Sequence, residues 1–333
     1  MNRRTLLKTS LAAGTFTQLP TRSAWAGNPA ISPLVNSDSP NGFKRFSLGD
    51  LELTILSDGY MRQSPVHPFL APLAQPNEVK ASLEAAFRST DSIDIAMNIG
   101  VVRSKDRLIL LDTGMGVFAG PTQGNLARSL AKAGFKTTDV TDVILSHAHT
   151  DHIGGLIDKQ NKLVYPNAAV HITKVEYEFW QQATLADFKK SPAYQMQDFV
   201  TQTIANTQTV FKLLAPRLNF IDLSKELHGI FTFELAPGHT PGMILTTIRS
   251  GSEELMYIAD LIHADVLLFD HPEWGFFGDT DLQQAVASRK RVLQQLSESK
   301  TKAFAFHLPW PALGHVRQKG TGFEWVPEVY ATP

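Results

Sequence analysis

Residues 147–152 read His-Ala-His-Thr-Asp-His, and the fold and chemistry of the chain can be worked out from this stretch. Three imidazoles and one carboxylate within six residues offer the nitrogen and oxygen ligands that zinc-type ions prefer. In an extended backbone alternate side chains point to the same side, so we expect His147 and His149 to face one point. Asp151 and His152 come where the chain turns into a predicted helix and can face a second point nearby. The stretch therefore predicts metal binding.

Strand ends elsewhere in the chain carry further candidate ligands. Four predicted strands each run into a His or Asp, and functional side chains concentrate there because the sheet fixes the strand while the loop carries the chemistry. If these ends meet, they gather five imidazoles and two carboxylates, which suits two divalent ions with about four to five ligands each, including water. The strands and the residues that follow them are 140–145 with His147, 231–235 with His239, 255–259 with Asp260, and 303–306 with His307.

The composition is that of a globular protein and argues against several classes of function. The 333 residues are 43% apolar and 19% charged, with a formal net charge of −1, which suffices for one large domain or two modest ones. Near-neutral charge argues against nucleic acid as the main partner, because phosphate binding needs a surplus of Lys and Arg. No apolar run after the first residues is long enough to span a bilayer, so stable membrane insertion is not expected. The chain has no Cys, which excludes thiolate ligands and nucleophiles.

The N-terminal residues resemble an export signal. Residues 2–8, Asn-Arg-Arg-Thr-Leu-Leu-Lys, are typical of the twin-arginine route, and the weakly apolar stretch 9–19 follows them. Ala24-Trp25-Ala26 offers a cleavage site of small residues. We therefore predict a signal peptide over 1–26, a flexible leader rich in Pro, Ser and Asn over 27–42, and a periplasmic protein. A basic N-terminus without a role in export is the alternative.

The remaining predicted elements frame these strand ends. Alternating apolar residues over 51–55 predict a strand that ends in a turn at Ser57-Asp58-Gly59. A short apolar run over 107–111 predicts a buried strand that enters the loop Asp112-Thr113-Gly114. Residues 126–133 are predicted as a helix that stops at Gly134, and 175–214 as largely helical. The candidate buried positions in that last region are Phe199, Ile204, Val210, Phe211 and Leu214.

The motif and the later His, Asp and His resemble the metallo-β-lactamase superfamily. This resemblance implies an α/β fold, an αββα sandwich with a dimetal site at one edge of the β-sandwich, in a hydrolase domain over 43–333. Within the superfamily, the chain is similar to the methyl parathion hydrolase family from about residue 42 to 330. The strings that carry this likeness are Leu48-Gly49-Asp50 through Ser57-Asp58-Gly59, Leu111-Asp112-Thr113-Gly114, Gly120-Pro121-Thr122, Tyr165-Pro166-Asn167-Ala168, and His307-Leu308-Pro309 through Gly314-His315.

The resemblance also implies a role for each candidate ligand. One ion is assigned to His147, His149 and His239, and the other to Asp151, His152 and His307, with Asp260 bridging both. Asp151 and Asp260 are also the predicted catalytic residues. Asp112 fits a supporting role, in which it accepts a hydrogen bond from a ligand histidine and fixes its tautomer; an Asp that caps the turn is the alternative. The histidines without a match, read as structural, surface or core residues, are His67, His171, His228, His271 and His315.

Two divalent ions about 4 Å apart can hold a bridging water and lower its pKa toward neutrality, which predicts hydroxide attack on phosphorus or on a carbonyl carbon. The chain has no Cys and no Gly-x-Ser-x-Gly elbow, so no covalent intermediate is expected. Lactamases with a Cys ligand are excluded. Redox diiron members carry a carboxylate where this chain has His149, and RNA-processing members need a nucleic-acid surface and a cytosolic location.

The resemblance makes hydrolysis of organophosphate triesters the leading predicted activity, with two predicted zinc ions, a small-molecule substrate and a homodimeric state. Lactone hydrolysis, of the acyl-homoserine type, or aryl-ester hydrolysis is the alternative, and a metal-binding protein without turnover is a third reading. Trp180 falls on a position that walls the substrate pocket in the family, although a core aromatic residue is an equal alternative. Phe118 lies near a second wall, shifted by one place so that Ala119 takes the matching position, and His263 replaces an aliphatic residue. Both departures predict a pocket less apolar than an optimised triester site.

Overall fold

Two β-sheets organise the computed structural model, which describes residues 42–330. Residues 1–41 and 331–333 lie outside the described part of the chain. The predicted signal peptide over 1–26 and nearly all of the predicted leader therefore lie outside it as well. In the described part, no helix combines the length and the apolar character that crossing a membrane requires.

The first sheet has seven strands in chain order. Its first four strands pair antiparallel, and its last four pair parallel. The predicted strand over 107–111 is confirmed with the same bounds, whereas the one over 140–145 is shorter than predicted. The strands are β1 (Phe43–Leu48), β2 (Leu51–Gln63), β3 (Ile93–Ser104), β4 (Arg107–Leu111), β5 (Asp142–Ile144), β6 (Ala169–Ile172) and β7 (Leu218–Phe220).

The second sheet has six strands and faces the first. Its strands are β8 (Phe231–Leu235), β9 (Ile244–Ser250), β10 (Glu253–Tyr257), β11 (Lys302–Phe304), β12 (Leu313–Lys319) and β13 (Gly322–Pro327), in the spatial order β13-β12-β11-β10-β9-β8. Only β10 and β11 pair parallel within it. Asn98 of the first sheet donates through Nδ2 to the carbonyls of Phe306 and Leu308, at 2.8 Å each, and so joins the two sheets beside the end of β11.

Helices cover the outer faces of the two sheets, which completes the predicted αββα sandwich. α2 packs against β2 of the first sheet, and α6 packs against β12 of the second. The helix predicted over 126–133 is confirmed, and the region 175–214 contains two helices joined by short 3₁₀ turns. The helices are α1 (Pro76–Ala85), α2 (Leu126–Lys132), α3 (Thr150–Ile153), α4 (Lys174–Gln182), α5 (Gln197–Leu214) and α6 (Leu282–Ser299).

One predicted buried position in α5 is wrong. Phe199 is 49% exposed, whereas Ile204, Val210, Phe211 and Leu214 are buried. The reason is helical geometry: the buried residues recur every three or four positions along one side of α5, and residue 199 falls outside this stripe.

The predicted turn at 57–59 is also wrong, because β2 continues through it as a β-bulge between Ser57 and Gly59. Gly59 has φ +117°, and a Cβ atom there would lie 1.9 Å from the carbonyl oxygen of Thr122, so only glycine fits. Between these two residues Asp58 is fully buried and accepts hydrogen bonds from the backbone amides of 115, 124 and 126. The bulge therefore holds the loop after β4 close to the sheet.

Candidate metal centre

The predicted ligands converge at one edge of the sandwich, where strands of both sheets end. The loop after β5 carries the first two, α3 carries the next two, and the loops after β8, β10 and β11 carry one each. Because each loop leaves a strand that is fixed in a sheet, residues far apart in sequence meet at one point. The seven residues form two groups that share one aspartate: His147, His149, His239 and Asp260, and Asp151, His152, His307 and Asp260.

The first group brings three imidazoles together around one point. Nε2 of His147 lies 3.1 Å from Nδ1 of His149, which in turn lies 2.9 Å from Nε2 of His239. Oδ2 of Asp260 lies 3.3 Å from Nε2 of His239 and 3.8 Å from Nε2 of His147. Two neutral imidazole nitrogens that face each other at this distance need a shared proton or a common cation, and a metal ion provides the latter.

The second group combines two imidazoles with two carboxylates. Nε2 of His307 lies 3.3 Å from Oδ2 of Asp151 and 3.2 Å from Oδ2 of Asp260. Nε2 of His152 lies 3.1 Å from the other oxygen of Asp260, Oδ1. Asp260 therefore touches ligand nitrogens of both groups, which is the position that a bridging carboxylate takes.

Burial and charge set the protonation of the cluster. Burial lowers the pKa of His147 well below its usual value and that of His149 to about 3, so both imidazoles are neutral at pH 7. Burial also opposes the charged form of His307, but the carboxylates of Asp260 and Asp151 outweigh it and raise its pKa to about 9. Burial favours the neutral form of Asp260, yet the neighbouring imidazolium groups outweigh it and hold its pKa well below the usual range. The cluster thus pairs ionised carboxylates with positive charge, which divalent ions would supply.

Two atoms without partners test whether the residues fit metal ions. Among the described residues, Nε2 of His152 and Oδ1 of Asp260 are buried and make no hydrogen bond, although they face each other at 3.1 Å. A buried polar atom without a partner is costly, and coordination to a cation would satisfy both. With only imidazole and carboxylate donors, the set fits zinc-type ions rather than iron–sulfur or blue-copper centres.

The outer nitrogens of the ligand histidines are fixed by further acceptors. Oδ2 of Asp112 accepts from Nδ1 of His152 at 2.8 Å, which is the supporting role that the resemblance implied. The same oxygen also accepts from the hydroxyls of Ser146 and Tyr257, at 2.6 Å each. Nδ1 of His307 donates to the carbonyl of Ala96 at 2.8 Å. These bonds leave Nε2 of each ring free to face the centre.

Sequence reasoning missed Asp279. Its Oδ1 lies 2.9 Å from Nδ1 of His239, and Arg289 pairs with its other oxygen at 3.2 Å. Burial favours the neutral form of Asp279, but Arg289 and His239 outweigh this and lower its pKa. Nothing in the local pattern distinguishes this residue, because it lies 40 positions from the histidine that it orients.

Sequence reasoning also missed Glu176, a fully buried carboxylate in α4. Oε1 accepts from the backbone amide of Ala148 at 2.9 Å and from Nε1 of Trp180 at 2.7 Å. Oε2 accepts from Oγ1 of Thr240 at 2.7 Å and from the amide of Gly242 at 2.8 Å. Glu176 therefore ties together the two loops that carry the ligands of the first group. The i, i+4 spacing of Glu176 and Trp180 was the available sequence signal.

The three predicted substrate residues occupy different positions. Trp180 is fully buried with its ring 5.6 Å from that of His149, so it is the core aromatic residue of the alternative and does not wall an open pocket. Phe118 is half-buried and lines a surface cavity of about 340 Å³ that contains none of the seven converging residues. His263 is 2% exposed, and its Nε2 lies 3.2 Å from Oδ2 of Asp260. Of the three, His263 lies nearest the bridging carboxylate.

A strip of aromatic rings leads from this centre to the surface. Phe276 stacks on His263 with ring centroids 3.5 Å apart, and its edge contacts Phe69 at 5.1 Å. Phe69 stacks on Phe277 at 5.7 Å, and Phe277 contacts Phe199 at 6.4 Å. Phe199, which was predicted to be buried, is exposed because it is the outermost ring of this strip. We call these four phenylalanines the aromatic strip.

Known proteins resemble the chain over the part that holds this centre. A family model described as the metallo-beta-lactamase superfamily matches residues 95–307, which include all seven converging residues. Two curated relatives, probable metallo-hydrolases of Mycobacterium bovis and Mycobacterium tuberculosis, are each 28% identical over 125 residues. That match covers 32% of this chain and spans only 38% of the length of those relatives.

Two solved structures resemble almost the whole described chain. AidC, a dizinc quorum-quenching lactonase in complex with the product N-hexanoyl-L-homoserine, is 52% identical, with a TM-score of 0.86 over 87% of this chain and 99% of AidC. AbOPH, a hydrolase of the β-lactamase superfamily, is 24% identical, with a TM-score of 0.79 over 87% of this chain and 98% of AbOPH. At that lower identity AbOPH shows the shared fold alone.

Proposed function

We propose that this chain, which belongs to the metallo-β-lactamase superfamily, is a dizinc lactonase that opens the ring of N-acyl-homoserine lactones. The chain is a metal-dependent hydrolase, and we assign its two ions to the clusters that share Asp260, which could hold them. The observation that carries the choice of substrate is the 52% identity to AidC over 99% of its length. Lactone hydrolysis, which the sequence left as the alternative, therefore takes the place of triester hydrolysis as the proposed activity.

The residues of the centre have separate roles in the reaction. When bound, the two ions supply a water of lowered pKa and a Lewis acid for the carbonyl oxygen of the substrate. Asp260 holds the two ligand groups in fixed relation through contacts of 3.1 Å and 3.3 Å to His152 and His239. Asp112 and Asp279 hold the tautomers of these same two imidazoles, so the ligand nitrogens need no reorganisation during turnover.

The aromatic strip supports a substrate with an apolar tail. Its inner ring, Phe276, stacks on His263 beside the bridging carboxylate, and its outer ring, Phe199, is 49% exposed. An acyl chain that lies along such a surface binds by burying apolar area, while the polar lactone ring reaches the metal centre. The predicted contact of His263 with substrate stays a prediction: its ring lies where strip and centre meet, but it is 2% exposed and Phe276 covers one face of it.

The substrate class is tested by comparing rates on one zinc-loaded preparation. We expect kcat/KM for N-hexanoyl-homoserine lactone to exceed the values for paraoxon, methyl parathion and an aryl acetate by about a hundredfold or more, or about 3 kcal/mol of transition-state free energy. A chelator should abolish all four activities, and zinc should restore them. A higher kcat/KM for either triester would reject the lactonase assignment in favour of the triester prediction. Turnover that survives complete metal removal would reject the dizinc hydrolase itself.

Two further features of the proposed enzyme are its location and its oligomeric state. The Arg3-Arg4 motif and the Ala24-Trp25-Ala26 site support export by the twin-arginine route and a mature chain that begins near Gly27. Mass spectrometry of the periplasmic fraction should find that N-terminus, whereas an intact Asn2 in the cytosol would reject it.

The expected homodimer is tested by light scattering of the zinc-loaded protein.

A further inference from the structure

A second group of metal-ligating side chains lies at the opposite end of β5 from residues 147–152. Asp142 is the first residue of β5, His171 lies in the adjacent β6, and His228 lies in the connection between β7 and β8. Nε2 of His171 and Nε2 of His228 lie 2.8 Å and 3.0 Å from one oxygen, Oδ1 of Asp142. The three donor atoms lie within 4.8 Å of one another.

The other oxygen of Asp142 is engaged elsewhere. Oδ2 accepts hydrogen bonds from Nη1 of Arg107 at 3.0 Å and from Oγ1 of Thr141 at 2.8 Å. These partners fix the carboxylate so that Oδ1 faces the two imidazoles, as outer hydrogen bonds orient the ligands of metal sites. The side chains of Asp142 and His171 are 3% and 10% exposed and that of His228 is 19% exposed, so solvent reaches the group from the side of His228.

We infer that Asp142, His171 and His228 form a third divalent-cation site, of the zinc type, separate from the two clusters of the metal centre. Two imidazole nitrogens and a carboxylate oxygen are donors that zinc binds at about 2.0–2.2 Å. A tetrahedron with such bonds has edges of roughly 3.3 Å, and the two nitrogen–oxygen separations of 2.8 Å and 3.0 Å would need to lengthen only a little to match them. Water supplies the fourth ligand from the side of His228.

This site fills after the metal centre does. Without a cation, each imidazole donates from Nε2 to Oδ1, so the group is satisfied by hydrogen bonds. The positive charge of Arg107 also opposes a cation at this position. In the first group of the metal centre, by contrast, imidazole nitrogens face one another, and hydrogen bonds to a carboxylate alone do not satisfy them. The third ion therefore binds more weakly than the first two.

A bound ion would tie the connection between the two sheets to the first sheet. His228 lies in the segment 221–230, between β7 and β8, whereas Asp142 and His171 lie in neighbouring strands. An ion that binds the folded state but not the unfolded state raises the unfolding temperature by mass action. The site is therefore a structural one, and its occupancy should change the metal content and the stability of the protein rather than its catalytic rate.

The test uses the full chain loaded with two zinc ions and dialysed against increasing concentrations of zinc alone. We expect elemental analysis to find a third zinc per chain, with a rise in melting temperature as it binds. In His228→Asn, which keeps a residue suited to the positive φ of 56° at this position, the third zinc should bind more than about tenfold more weakly. Asp142→Asn should behave in the same way, and the matched control is His315→Asn, at a half-exposed histidine without a second imidazole beside it.

Each outcome decides the assignment. A third zinc that is present in the wild type and in His315→Asn, but lost in His228→Asn, supports it. A wild type that holds only two ions throughout the titration overturns it, and so does a His228→Asn variant that binds the third zinc as tightly as the wild type. If His228→Asn lowers the melting temperature equally with and without zinc, the group is a hydrogen-bonded clamp and the inference is rejected. None of these readouts depends on the substrate of the metal centre.

Discussion

The two ends of β5 place imidazoles around an aspartate in different ways. At the carboxyl end, residues 147–152 and two other loops surround Asp260 with imidazoles, and nitrogens of the first group face one another at 2.9 Å and 3.1 Å. At the amino end, both imidazoles face one oxygen of Asp142 and no contact between two imidazole nitrogens is needed to describe the group. Asp112 and Asp279 fix the outer nitrogens of His152 and His239 at the first end, whereas Arg107 neutralises the carboxylate at the second.

This difference separates a site that requires metal from one that tolerates its absence. At the carboxyl end, the facing nitrogens of the first group cannot all donate and accept, and in the second group Nε2 of His152 and Oδ1 of Asp260 make no hydrogen bond, so cations are needed to satisfy both groups. At the amino end, protons on Nε2 satisfy every contact to Oδ1. A cluster of histidines around an aspartate is therefore not by itself a sign of obligatory metal binding. Whether metal is required depends on whether the ring nitrogens can all form hydrogen bonds to an acceptor when no ion is bound.

The largest expected effect comes from removing the shared charge at the carboxyl end. We expect Asp260→Asn to lower kcat/KM by more than about a thousandfold and to release at least one ion, because both groups lose an anionic ligand. The matched change at the other end, Asp142→Asn, should keep two ions and activity within about twofold. Elemental analysis and steady-state kinetics on both variants measure this contrast. Equal losses in the two variants would show that the two ends of β5 do not differ as described.

The residues that orient the ligands should give intermediate effects. Asp279→Asn should weaken the ion of the first group, and Asp112→Asn the ion of the second, by about 10–100-fold each. The reason is that each variant weakens one hydrogen bond that fixes a ligand tautomer. Chelator competition, read as two separate release steps, measures the affinities. Release steps that both match the wild type would contradict the supporting role of these residues.

The sequence predicts the inner part of the centre far better than its surroundings. The seven converging residues are predictable because a local motif and strand ends place them, and these depend on neighbours in the chain. Glu176 and Asp279 are not predictable in this way, since their contacts reach residues 28 to 66 positions away. Trp180 shows the same limit, because helical spacing marks it as apolar without telling whether it faces the core or a pocket.

A third prediction concerns stability rather than metal. Glu176→Gln replaces one acceptor oxygen with an amide that cannot accept from the donors now bound to it, namely Ala148 and Trp180 on one side and Thr240 and Gly242 on the other. Leaving buried donors unpaired costs about 1–3 kcal/mol, so the unfolding free energy should fall by that amount. Denaturant unfolding of the zinc-loaded variant measures it. An unchanged free energy of unfolding would show that this carboxylate does not hold the two ligand loops together.

The smallest expected effect tests why the amino end binds a cation weakly. Arg107→Gln removes the positive charge beside Asp142 but retains an amide that can donate to Oδ2. A unit charge about 6 Å away is worth only about 0.7 kcal/mol in water, and Arg107 is 40% exposed, so we expect zinc affinity at the third site to rise roughly threefold. Salt should reduce the gain, because exposed charges are screened, whereas the two ions of the metal centre and the lactonase rate should not change. Zinc titration at low and high ionic strength measures both effects. A gain that does not depend on salt would mean that Arg107 acts by restraining Asp142 rather than through its charge.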